Sequence, residues 1–107
     1  MNMYEILDII NKNIASGNRF ISITNVSRIV CIESCHGGDP IYHRYVIDDG
    51  NFVSFNSLPE VTRKMELKRI LSENPQFDKI DKLAHLFNVP NYVIINDLHA
   101  IRRESHG

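Results

Sequence analysis

The sequence predicts an α+β fold: an N-terminal helix, a small antiparallel sheet, and then a C-terminal unit of three helices. Three observations carry this reading. Apolar residues recur at helical spacing over residues 3–14. β-Branched and aromatic residues then gather in short runs divided by Gly, Asp and Pro, and helical spacing returns from Ser57 onward.

In the first segment Met3, Ile6, Leu7, Ile10 and Ile14 follow the i, i+3, i+4, i+7 rule that aligns side chains on one stripe, with Glu5, Asp8, Asn11 and Lys12 elsewhere. Ser16-Gly17-Asn18 ends that helix. Segments 20–24, 28–34, 41–47 and 52–55 are rich in residues that fit a pleated surface and predict three or four short antiparallel strands. The run His36-Gly37-Gly38-Asp39-Pro40 breaks regular structure, and Asp49-Gly50 tolerates the positive φ of a tight hairpin. In the third strand Ile41, His43, Tyr45 and Ile47 alternate with Tyr42, Arg44 and Val46. Both faces are mixed, and the alternation does not select the buried one.

Ser57-Leu58-Pro59-Glu60 has the spacing of a capping box and predicts a helix running to about Glu73, where Asn74-Pro75 stops it. A further helix is expected after Asp78 as its N-cap. On the first of these helices Leu58, Val61 and Met65 lie on one side and Leu67, Ile70 and Leu71 nearly opposite. That predicts a helix serving two cores, the sheet with its first turns and the C-terminal helices with its last. The chain accordingly divides into residues 1–57, a helix plus sheet for dimerisation or partner contact, and residues 58–107, a helical unit sharing one core with it.

From Ile80 the chain reads as two short helices joined by a turn at residues 88–91. Ala84 supplies the small residue that crossing helices need. Leu83, Phe87, Val89 and Ile94 supply apolar residues before, in and after the turn, and Asn88 suits its left-handed position. This is the pattern of a helix-turn-helix. It resembles the winged helix-turn-helix of the DeoR type over residues 60–104: Lys68-Arg69-Ile70-Leu71 looks like the first helix, Leu83-Ala84 with Phe87-Asn88-Val89 the second and its turn, and Ile94 with Asp97-Leu98 the third. Where that family commonly places two arginines before its Asp-Leu, this chain has Ile95-Asn96, and only Arg102 to Gly107 follow where the family continues into a wing. The resemblance implies double-stranded DNA as partner, read by the third helix.

On that helix Ile94, Leu98 and Ile101 form the expected buried stripe, leaving Asn91, Tyr92, Ile95, Asn96 and His99 outward as candidate readers of base edges. Arg102, Arg103, Lys79 and Lys82 are the candidate phosphate contacts. The expected protein is thus a non-enzymatic, sequence-specific DNA-binding regulator acting as a homodimer. The competing expectation is a protein-binding inhibitor, antitoxin or mobile-element accessory factor that turns Tyr92, Ile95 and His99 against a protein partner.

Composition bounds these readings. A chain of 107 residues with 43% hydrophobic content fits one compact domain, and 12 Lys+Arg against 13 Asp+Glu, a net charge of -1, excludes a basic protein that coats nucleic acid regardless of sequence. With 2 cysteines and no basic region followed by an unbroken apolar run at its start, the chain is expected to be cytoplasmic and reduced. No stretch approaches the roughly eighteen consecutive apolar residues that cross a bilayer, so no membrane role is expected. Cys31, Cys35, His36 and His43 match no common tetrahedral ligand spacing, which predicts no metal and no cofactor. The triple Cys35, His43 and Asp39 lacks an oxyanion hole, and Gly37-Gly38 lacks the following helix and Lys-Ser/Thr of a phosphate loop, so no catalytic residue is assigned.

Overall fold

A computed structural model describes residues 8, 11, 12 and 17–106. Its elements are β1 (Arg19–Val26), β2 (Ile29–His36), β3 (Asp39–Asp48), β4 (Asn51–Phe55), α1 (Glu60–Glu73), α2 (Ile80–Phe87) and α3 (Asn91–His106). The four strands form one antiparallel sheet in the order β1-β2-β3-β4. The expected order of helix, sheet and helices is therefore corrected: the sheet comes first, over residues 19–55, and the three helices follow it. The stripe Met3, Ile6, Leu7, Ile10 and Ile14, which carried the expectation of a leading helix, lies outside the described residues.

Consecutive strands are joined by two-residue turns at 27–28, 37–38 and 49–50. Gly37 and Gly38 (φ 61° and 94°) and Asp49 and Gly50 (φ 50° and 79°) have positive φ at both central positions, the backbone that matches the twist of the flanking strands. The break expected over residues 36–40 contracts to Gly37-Gly38, and Pro40 lies in β3 opposite Cys35. Proline is tolerated there because β4 pairs only with Arg44 to Asp48, so no ladder bond is required of Pro40 on that side.

The register puts Val26, Ile29, Cys31, Arg44, Val46 and Phe55 on the sheet face that meets the helices. Their apolar members join Leu58, Leu67, Ile70, Leu83, Ala84, Leu86, Phe87 and Ile94 in one core. β2 is buried on both faces, since Val30 and Ile32 are also fully enclosed. On that second face Lys12 acts on the Tyr45 hydroxyl, which burial nevertheless raises above its ordinary value.

Helix α1 departs from the expectation of two cores. Val61 and Met65 are exposed, whereas Glu66, Leu67 and Ile70 are buried, so one face turns inward and it carries charge. Glu66 lies 3.6 Å from both Arg28, in the β1–β2 turn, and Arg69, and the Ser27 hydroxyl donates to Glu73. The last turns of α1 thus reach the β1–β2 turn, while α3 is met along α1 from Arg63 to Lys68, so the expected split between sheet and helices is not seen. The capping box is absent because Pro59 bars Leu58 from the α region. Pro59, extended at φ -55° and ψ 150°, is the N-cap, and Leu58 packs in the core instead. Likewise α2 is capped by Lys79 rather than Asp78.

Candidate functional site

The last two helices are set by one residue in the left-handed region. Asn88 (φ 58°, ψ 50°) ends α2, its N–H donates to His85 O at 3.2 Å, and the Val89 N–H donates to Ala84 O at 3.0 Å. These paired bonds are those of a Schellman motif and satisfy carbonyls that the end of α2 leaves open. The Asn88 side chain adds something glycine lacks: its Nδ2 donates to Asn56 O at 2.8 Å, tying the turn to the connection between β4 and α1. Arg44 supplies a second tie, with Nε donating to His85 O at 3.0 Å, and its guanidinium lies 5.3 Å from the Tyr42 ring centre.

α3 is fixed to α1 by a forked ion pair. Arg63 donates from Nε and Nη2 to the two carboxylate oxygens of Asp97 at 2.6 and 3.0 Å, and the side chains are 12% and 3% exposed. This bond is the main cause that raises the Arg63 guanidinium still further above its ordinary value, burial opposing it. Nearer the C-terminus Lys68 pairs with Glu104 at 3.1 Å on the surface. Both carboxylates of α3 are therefore neutralised by cations of α1. Arg102 and Arg103 are exposed and form no ion pair among the described residues.

The structure brings Asn91, Tyr92, Ile95, Asn96 and His99 together on the outward side of α3, all exposed, while Ile94 is fully buried and Leu98 and Ile101 pack against the core. Lys79 is exposed at the start of α2. Lys82 is also exposed, but it lies on the side of α2 that faces the sheet. There it lines a cleft of about 420 Å³ with Cys31, Glu33, Tyr42 and His85, whose ring meets Tyr42 edge-on at 4.6 Å. Sequence patterns gave no sign of this cleft, because its walls come from β1, β2 and β3 on one side and α2 with Phe77 before it on the other. Burial pushes the Cys31 thiol above its ordinary range, which suits it to line the cleft and not to attack a substrate.

The residues of the metal question do not converge. Cys31 faces the helices, His43 pairs with Ile32 on the opposite sheet face, and His36 is exposed at the hairpin. Among the described residues no three His, Cys, Asp or Glu side chains are placed to share an ion, and no helix is long and apolar enough to cross a membrane. No family model matches this chain, and no curated protein or solved structure matches it either.

Proposed function

We propose that this chain is a sequence-specific DNA-binding regulator of the helix-turn-helix class, non-enzymatic, cytoplasmic and active as a homodimer. The observation that carries the reading is the state of α3. Its acids are tied to α1, its arginines are free of ion pairs among the described residues, and its polar outward side is held rigidly by the Asn88 turn. A helix so presented enters a major groove with Asn91, Tyr92, Ile95, Asn96 and His99 toward base edges, while Arg102, Arg103 and Lys79 supply phosphate contacts and Lys82, turned toward the sheet, does not. Asn96 is the reader of choice, since a carboxamide matches the edge of adenine with two hydrogen bonds.

The test is binding of the purified protein to duplexes from its own upstream region and to scrambled duplexes across a salt series. Specific binding should weaken steeply with salt, with a log–log slope of roughly −2 to −3 per chain if Arg102, Arg103 and Lys79 all reach phosphate. Asn96→Ala should cost about 1–3 kcal/mol on the preferred duplex and little on the scrambled one, and Arg103→Ala should weaken both and reduce the slope by about 1. No binding to either duplex at low salt would overturn the reading. A protein partner is the second reading, and it is favoured by Tyr92 and Ile95, which stand 65% and 39% exposed on the same side of α3. Capture of a partner by wild type and its loss with Tyr92→Ala would support that alternative.

A further inference from the structure

The cleft between the sheet and α2 takes no part in the DNA reading, and its chemistry is not that of a nucleic-acid surface. The register sets Ser22, Glu33 and Tyr42 side by side across β1, β2 and β3 on the face toward the helices, and α2 answers with Asp81, Lys82 and His85. One wall is held in place by the protein itself. The His85 ring stands edge-on to Tyr42 at 4.6 Å, and Arg44 fixes both: its Nε donates to His85 O at 3.0 Å and its guanidinium lies 5.3 Å from the Tyr42 ring centre. Glu33 is half-buried and accepts a hydrogen bond from the Ser22 hydroxyl at 3.4 Å. Among the described residues Glu33, Asp81 and Lys82 form no ion pair, with one another or with any other side chain.

We propose that this cleft binds a free aromatic α-amino acid, its ammonium on Glu33 and Asp81, its carboxylate on Lys82 and its ring among Tyr42, His85, Phe77 and Leu86. Charge selects the class. Two carboxylates against one ammonium repel phosphate-bearing ligands, whereas a lone organic cation would leave Lys82 facing a like charge. A zwitterion satisfies both signs. The rings of Tyr42, Phe77 and His85 select an aromatic body, since ring edges and faces attract one another beyond the area they bury. The volume of about 420 Å³ falls within the roughly 300–1,000 Å³ of small-molecule sites. A ligand held between Glu33 of β2 and Asp81 with Lys82 of α2 bridges sheet and helix, and so stabilises the folded chain. With Lys82 turned to the sheet, no residue of the cleft belongs to the DNA surface, and the test contains no DNA, so either proposal can fail without the other.

The test is titration of the full chain, followed by calorimetry and by amide NMR, with L-phenylalanine and its two halves: phenethylamine, which lacks the carboxylate, and 3-phenylpropionate, which lacks the ammonium. L-phenylalanine should bind once per chain, about tenfold or more tighter than either half, and should raise the melting temperature. Its saturable shifts should centre on Glu33, Tyr42 and residues 81–86. Glu33→Gln should raise the Kd of L-phenylalanine and of phenethylamine about tenfold and leave that of 3-phenylpropionate unchanged. Lys82→Met, at an exposed position that the core does not need, should do the converse: it weakens L-phenylalanine and 3-phenylpropionate and spares phenethylamine. Wild-type far-ultraviolet ellipticity in both variants confirms that the fold is intact. Absence of saturable shifts with L-phenylalanine, phenethylamine binding as tightly as L-phenylalanine, shifts centred on the outward side of α3, or unchanged affinities in Lys82→Met would overturn the proposal.

Discussion

Asn88 shows how much one side chain can settle. Its backbone is in the left-handed region and its carboxamide holds Asn56 O, so two different losses can be separated by substitution. Asn88→Gly keeps the conformation and loses the side-chain bond, an expected cost of about 1 kcal/mol. Asn88→Ala loses the bond and also strains the backbone, for about 2–3 kcal/mol in total. Urea midpoints of the two variants check the order. A second residue-scale effect is alkaline. Burial raises the Cys31 thiol above its ordinary 9.0 against the pull of Arg44, and the Tyr45 hydroxyl above its ordinary 10.0 against Lys12. Both groups fold as neutral acids that hold their protons more tightly than the unfolded chain does. Their contribution is complete below the unfolded values and is lost as pH rises through the higher folded ones. The melting temperature should therefore fall as pH rises above 9.0, and Cys31→Ala, though less stable throughout, should lack the first part of that fall.

At the scale of elements, α1 is the piece that sequence reading misjudged, and the reason is physical. Its inward face runs through Arg63, Glu66, Leu67 and Ile70, so it buries Glu66 with Leu67 and Ile70 and half-buries Arg63 beside them. Whether a charge turns inward depends on its partners, here Asp97 on α3 and Arg28 in the first hairpin, which are distant in sequence and invisible to periodicity. What was legible is local in origin. The strand segments follow from β-branched runs between Gly and Asp turns, and the end of α2 at Asn88 follows from the few residues that tolerate positive φ. The outward side of α3 also emerged from spacing alone, because the stripe of Ile94, Leu98 and Ile101 has one solution on a helix. The cleft beside Lys82 was not legible, since no single segment contains it. For α1 the expected outcome is specific. Asp97→Ala leaves the Arg63 guanidinium enclosed and unpaired and should cost about 3 kcal/mol or more, whereas Asp97→Leu combined with Arg63→Met should restore most of that stability. Chemical denaturation of the three proteins measures it.

For the whole molecule the decisive fact is that one core contains residues of both halves. Val26, Ile29, Cys31 and Val46 of the sheet join Leu67, Leu83, Leu86, Phe87 and Ile94 of the helices in one apolar cluster. Residues 19–55 and 58–106 should therefore unfold together. Far-ultraviolet ellipticity and tyrosine fluorescence should trace one coincident transition in denaturant. Two resolved transitions would mean that the helical unit stands without the sheet. The order of the strands has a consequence of another kind. Every strand pairs only with its neighbour in sequence, and each turn between them has two residues, so closing the sheet costs little chain entropy. The sheet can assemble in the order in which the ribosome delivers it, before α1 has left the exit tunnel. Until residues 58–106 emerge, its face of Val26, Ile29, Cys31 and Val46 has no cover, and the nascent chain spends that interval as an open half-core exposed to association with other chains.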